Sequence, residues 1–165
     1  MSGPGDLLQS RILELLPKLR RFARSLTRNP HDADDLLQGA LERALTPLEQ
    51  WQADTRLDSW LYTIVKHAWI DELRSRARRE RTFEDAGQAE AVPDHSGDAS
   101  GTLAVDQAMA CLPEDQRLAV ALVLIEGLPY KEAAQIIGVP MGTLTSRLAR
   151  ARQALQQLLG PGDGA

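Results

Sequence analysis

The sequence predicts an all-α protein: two small helical domains joined by a flexible acidic linker, the second containing a helix-turn-helix. Three observations carry that prediction. Apolar residues recur at steps of three and four through most of the chain, the spacing of a single helix face. Leu, Ala and Arg dominate the 165 residues and aromatics make up only 4%, a helical composition. Residues 82–102 (TFEDAGQAEAVPDHSGDASGT) are mostly small, acidic or proline, with too little apolar surface to offset the entropy of ordering.

The elements follow in order. Residues 1–5 read as a frayed start. Asp6 to about Leu26 is helical by the spacing of Leu8, Ile12, Leu15, Leu16, Leu19, Phe22, Ala23 and Leu26, but Pro17 argues against one unbroken helix. Asn29-Pro30-His31-Asp32 reads as a turn into a second helix, with Asp32, Asp34 and Asp35 at its positive end. That helix runs to about Leu45, through Leu37, Ala40, Leu41 and Ala44, and Pro47 marks its end. Trp51–Asp58 is loop-like. A long helix then spans about Ser59–Arg81. Its apolar side holds Trp60, Leu61, Ile64, Val65, Ala68, Trp69 and Leu73, which makes both tryptophans core residues before stacking platforms.

Beyond the linker, helices are expected at about Leu103–Leu112, Pro113–Glu126, Pro129–Ile137 and Pro140–Leu159, with a disordered tail over 160–165. Gly127 ends one helix. Gly138 lacks a Cβ and so takes the left-handed backbone that stops the next. Pro140 stands where the last helix begins, a place where its missing N–H costs nothing. Two short helices around a tight turn form a helix-turn-helix, whose second helix enters a DNA major groove. Leu144, Leu148, Ala151, Leu155 and Leu158 make the inner stripe of that helix. Thr143, Ser146, Arg147 and Arg150 share another side, and their hydroxyls and guanidinium groups suit base edges and phosphates.

Charge is segregated along the chain. The formal net charge of −4 argues against nonspecific coating of nucleic acid. Yet residues 74–81 (RSRARRER) carry five arginines against one glutamate, while Thr82 to Gln116 holds eight acids and no Lys or Arg. A local basic surface beside an acidic connector fits DNA binding. The single cysteine, Cys111, excludes an internal disulfide and is expected as a small buried residue. His31, His67 and His95 lack metal-ligand spacing, so no metal or cofactor is expected. No run reaches membrane-spanning length and no signal peptide opens the chain, which points to a cytoplasmic protein without membrane insertion. Phosphate-cradling glycine loops and nucleophile–base motifs are absent from the sequence, so no enzyme is expected.

Four segments in order carry a resemblance: DADDLLQGALERAL (32–45), WLYTIVKHAWIDELR (60–74), LPEDQR (112–117) and GLPYKEAAQIIGVPMGTLTSRLARAR (127–152). With them the chain resembles bacterial RNA polymerase sigma factors of the extracytoplasmic-function group, over about residues 10–159. The resemblance implies a region 2 domain over 1–81, a linker over 82–102 and a region 4 domain over 103–159. It implies that Asp35, Gln38, Leu41, Glu42 and Arg43 meet a clamp coiled coil of the core polymerase's large subunit. Gly39 departs there from a usual glutamate. For the upstream (−35) promoter element it implies Thr143, Thr145, Ser146, Arg147 and Arg150, with Lys131 and Arg152 on phosphates. Thr145 and Ala149 stand where longer side chains are common.

For the melted downstream (−10) element the resemblance implies a base-capturing loop of Trp51, Gln52, Asp54, Thr55 and Arg56, with His67 near the flipped base. Lys66, Arg74, Arg76, Arg78 and Arg79 would hold the surrounding backbone. It further implies promoter DNA, core RNA polymerase and an anti-sigma factor as partners. The alternative reading is a stand-alone dimeric helix-turn-helix regulator, which explains 127–152 but not the 60–74 segment.

Overall fold

Pro17 does not break the first helix. In the computed structural model, which describes residues 3–45, 56–83 and 100–160, α1 runs unbroken over Pro4–Leu26 with Pro17 inside it. Pro17 is exposed, and so is Leu13, whose carbonyl loses its helical partner to the proline. Water can serve that carbonyl, while Ile12 on one side and Leu19, Phe22 and Ala23 on the other are buried and hold the axis. The helix also starts earlier than Asp6, because the Gly3 N–H donates to the Asp6 carboxylate at 3.2 Å.

Six further helices follow: α2 (Pro30–Leu45), α3 (Leu57–Phe83), α4 (Ser100–Cys111), α5 (Glu114–Val120), α6 (Tyr130–Ile137) and α7 (Met141–Leu159). Asn29 starts α2. Its Oδ1 accepts the Asp32 N–H at 2.8 Å and its amide donates back to the Asp32 carboxylate at 3.0 Å. α3 and α4 each reach into the span read as linker, leaving residues 84–99 outside the described residues. The expected base-capturing loop, Trp51 to Thr55, also lies outside them, as do residues 161–165.

Three helices of the second half begin in one way. Pro113, Pro129 and Pro140 each occupy the N-cap in extended backbone, with no side-chain cap, and the helix starts at the next residue. The proline ring fixes φ and so presets the entry. α5 continues as one π-helical turn over Ala121–Ile125, where the Glu126 N–H reaches the Ala121 carbonyl at 2.9 Å.

The two halves close one continuous apolar core. α1, α2 and α3 pack together through Phe22, Leu26, Leu37, Leu61, Val65 and Trp69, and α1 also meets α4, α5 and the π turn. Leu118, Leu122, Ile136, Leu144 and Leu148 complete the core on the other side. Leu36, absent from the sequence-derived face of α2, is buried as well. Two expectations fail. Leu158 is exposed, because the buried stripe of α7 ends as the helix runs past its neighbours. Cys111 is exposed too: at the last turn of α4, Met109 and Leu112 take the inward positions.

Arg117 joins the halves. Only 7% exposed, it donates to the carbonyls of Met109 (2.9 Å), Ala110 (3.0 Å) and Leu112 (2.9 Å) at the end of α4, and of Leu26 (3.2 Å) at the end of α1. Carbonyls at a helix C-terminus lack intrahelical donors and carry partial negative charge, which a buried guanidinium answers in both respects. Desolvation lowers the pKa of Arg117 from its ordinary value, and arginine nonetheless stays charged.

Two stability changes follow. Arg117→Met leaves several buried carbonyls unpaired and should cost about 3 kcal/mol or more. A Cβ added at Gly39 meets nothing within 4 Å, so Gly39→Ala should gain about 0.5–1 kcal/mol from helix propensity alone. Urea unfolding midpoints of the full chain check both.

Candidate nucleic-acid interface

The helix-turn-helix is built as its sequence demands. At the end of α6, Gly138 adopts φ 84° and ψ 37°, and both its N–H and that of Val139 donate to the Ala134 carbonyl, at 2.8 and 3.1 Å. Only glycine takes that backbone without strain. The chain then turns through Val139 and Pro140 into α7, whose Leu144, Leu148 and Ala151 are fully buried against α5 and α6. Seating this stripe leaves Thr145, Ser146, Arg150 and Arg152 of α7 exposed, with Lys131 exposed on α6. Thr143 and Arg147 are half-buried. Arg147 lies 3.6 Å from the Asp115 carboxylate, which holds its guanidinium beside α5. Arg150 and Arg152 have no carboxylate partner among the described residues, so their charges face solvent. Thr145 donates to the Met141 carbonyl at 2.9 Å, in its own helix.

The basic end of α3 divides in two. Arg76 pairs with Asp32 at 3.0 Å and Glu72 at 3.2 Å, and Arg79 pairs with Glu72 at 3.0 Å. Arg74 and Arg78 line a shallow groove with Asp71, Ala77 and Arg81 and have no ion pair among the described residues. His67 is exposed on the same helix. Partial desolvation, then the neighbouring Lys66 charge, hold its pKa below the ordinary value, so the ring is neutral at physiological pH.

Lys66 is the clearest departure from expectation. Grouped in the sequence with the backbone-binding cations, it is 7% exposed and donates to the Ile136 carbonyl at 2.7 Å, in the last turn of α6. Burial lowers its pKa. Arg56 is also engaged, with Asp58 at 2.8 Å and with Glu132 of α6. Of the −35 group, Lys131, Thr145, Ser146, Arg150 and Arg152 are exposed and Thr143 and Arg147 half-buried, whereas the described members of the −10 group are split between an open groove and side chains paired with α2, α3 or α6.

On α2, Asp35, Gln38, Glu42 and Arg43 are exposed, and Leu41 is half-buried against the core. Asp35 lies 3.5 Å from His31, and Arg43 pairs with Asp71 of α3 at 2.8 Å. Sequence reasoning missed a buried cluster between the halves. The Glu126 carboxylate, with no exposed side-chain surface, accepts both Arg21 nitrogens at 2.7 and 3.0 Å and the Tyr62 hydroxyl at 2.6 Å. These residues lie 105 and 64 positions from Glu126. The one local hint is a glutamate closing an otherwise apolar helix just before Gly127. Burial foremost, with the Glu126 hydrogen bond and charge, pushes the Tyr62 phenol pKa far above its ordinary value.

Residues 12–79 match the family model for sigma-70 region 2, and residues 102–155 match that for sigma-70 region 4. The chain is 39% identical over 157 residues to the ECF RNA polymerase sigma factor EcfG of Rhodopseudomonas palustris, covering 93% of this chain and 86% of that one. It is 38% identical over 144 residues to SigM of Mycobacterium tuberculosis, covering 87% and 72%. Among solved structures it is similar to the sigma factor RpoE in complex with the anti-sigma factor NepR from Bartonella quintana. The TM-score is 0.80 and the identity 34%, over 92% of this chain and 95% of that one. Among the described residues no helix is long and apolar enough to cross a membrane.

The Tyr62 geometry fixes a sign. Its folded pKa is raised, so the stability it contributes is fully present below the ordinary tyrosine value of about 10 and lost as the pH rises beyond it. Tyr62→Phe should flatten the alkaline fall in stability, read as a smaller shift in urea midpoint between about pH 9 and about pH 11.

Proposed function

The chain belongs to the extracytoplasmic-function sigma factors of the sigma-70 family, and from that premise we propose that it binds core RNA polymerase and directs it to promoters through two DNA elements. α7 reads the −35 element in the major groove: Thr145, Ser146 and Arg150 approach base edges, Thr143 and Arg147 flank them, and Lys131 and Arg152 hold phosphates. What carries this reading is the exposure of Arg150 and Arg152 on α7, without carboxylate partners among the described residues, while its leucine stripe is buried. Cations without carboxylate partners are free to displace counterions from DNA.

The −10 element is melted against α3 and the loop before it. Unstacking a base costs a few kcal/mol, returned by stacking and by hydrogen bonds to its edge. Trp51, Gln52, Asp54 and Thr55 would receive that base, with neutral His67 as donor or acceptor. Arg74 and Arg78 would take the adjacent phosphates at once, while Arg56, Lys66, Arg76 and Arg79 must first leave protein partners. The exposed face of α2, with Asp35, Gln38, Glu42 and Arg43 around half-buried Leu41, is the docking surface for polymerase. The chain supplies recognition and melting; catalysis remains with the polymerase. An anti-sigma factor is proposed as a partner, on the strength of the similar RpoE–NepR complex. A stand-alone operator-binding dimer would leave the region 2 half without a task.

Run-off transcription with purified core polymerase on a genomic promoter library tests the reading, and discrete RNA 5′ ends sharing two upstream motifs are expected. Absence of such starts, with tight binding of the protein alone to palindromes, would overturn it. Within that assay, Arg150→Ala should weaken promoter use at particular −35 bases by about 1–3 kcal/mol if it contacts a base. Arg152→Ala should weaken all promoters alike and lower the salt slope by about one.

A further inference from the structure

One carboxylate stands among the cations of the groove on α3. His67, Asp71, Arg74, Arg78 and Arg81 follow one another at steps of four and three, so they share one side of that helix. All five are exposed, and Asp71 lines the groove together with Arg74, Arg78 and Arg81. Left to itself, Asp71 would oppose a phosphate there in two ways. It would repel the phosphate that Arg74 holds, because helix neighbours one turn apart lie within the screening length of physiological salt, about 8 Å. It could also pair with Arg74, three positions on, and take that cation from the site.

α2 answers both. From the last turn of that helix, the Arg43 Nη1 donates to the Asp71 carboxylate at 2.8 Å. Arg74 and Arg78 are left without an ion pair among the described residues. The same two charges reach His67. Partial desolvation, then Lys66, lower its pKa, and after them Asp71 raises it and Arg43 lowers it. Arg43 and Asp71 therefore act on the groove with opposite signs from neighbouring places.

We infer that Arg43 is a positioning residue of the −10 groove: by holding Asp71 it keeps Arg74 free and the groove cationic for single-stranded DNA, besides standing on the polymerase-docking face of α2. The inference deepens the sigma-factor reading and rests on it for the strand that is bound. Both side chains are about half exposed, at 48% and 53%. An ion pair so placed contributes little to folding, and its main effect is on the charge that a strand meets.

A double-mutant cycle on the full chain tests this. The probe is a fluorescent single-stranded DNA of mixed sequence, about 20 nucleotides long, whose binding is followed by anisotropy from low to physiological salt. Arg43→Gln should weaken binding about five-fold and lower the salt slope by about one, because Asp71 then turns to Arg74. Adding Asp71→Asn should restore both quantities. Adding Asp106→Asn instead returns the same net charge on α4, which packs on α1 and α7, and should restore neither. Asp71→Asn alone should bind more tightly than the native chain. It decides the matter if Arg43→Gln loses helix content by circular dichroism.

Unchanged binding in Arg43→Gln, no recovery with Asp71→Asn, or equal recovery with Asp106→Asn overturns the inference. A native chain that does not bind the strand, or an Asp71→Asn chain that binds no better, does the same. Run-off transcription with the native chain separates this from the reading beneath it. Discrete promoter-directed starts without recovery in the double variant would sink the role of Arg43 alone. Recovery on the single strand without such starts would keep that role and sink the sigma-factor reading.

Discussion

One buried guanidinium holds the ends of two helices that belong to different halves of the chain. Arg117 donates to backbone carbonyls at the ends of α4 and α1. A helix end that enters a core must have its carbonyls satisfied there. Without Arg117, the Leu26 carbonyl and those closing α4 would lose this donor inside the fold. Arginine suits the place because its donors fan out in a rigid plane that can reach several carbonyls together.

Around that joint the halves are held by a shared apolar core and by paired charges. Each half is short for an isolated core, and small domains bury a low fraction of their surface. Sharing one core relieves both. Burying the Glu126 carboxylate carries a desolvation cost, offset by a bidentate arginine and a tyrosine hydroxyl in good geometry. The resulting contact is specific, because only those partners satisfy the carboxylate.

The same physics explains the uneven fate of the cations. Arg150 and Arg152 lie off the buried stripe of α7, so their exposure follows from spacing alone. Lys66 instead shares a side of α3 with buried Tyr62 and Trp69, and its partner is set by α6, 70 residues away. Arg76 and Arg79 are occupied by Asp32 and Glu72, one distant in sequence and one local. A run of arginines therefore overstates the free charge of a surface once partners across the fold are counted. Pro17 and Cys111 make the converse point. A proline is tolerated inside a helix where the carbonyl it deprives faces water, and a small apolar residue lies outside where its neighbours take the inward positions.

Sequence by itself determined whatever depends on near neighbours. Apolar periodicity set the helices, Gly138 and Gly127 set their stops, prolines set three starts, and four ordered segments marked the family. It also determined which side of α7 faces outward, since one stripe can be buried only by exposing the other. Only the tertiary structure decided what depends on residues far apart. The docking of the halves, the clamp of Arg21 and Tyr62 on Glu126, the burial of Lys66 and the reach of Arg117 to Leu26 all join groups separated by more than 60 positions. Such pairings leave no periodic trace, because a charged side chain looks the same in sequence whether its partner is water, a phosphate or a buried helix end.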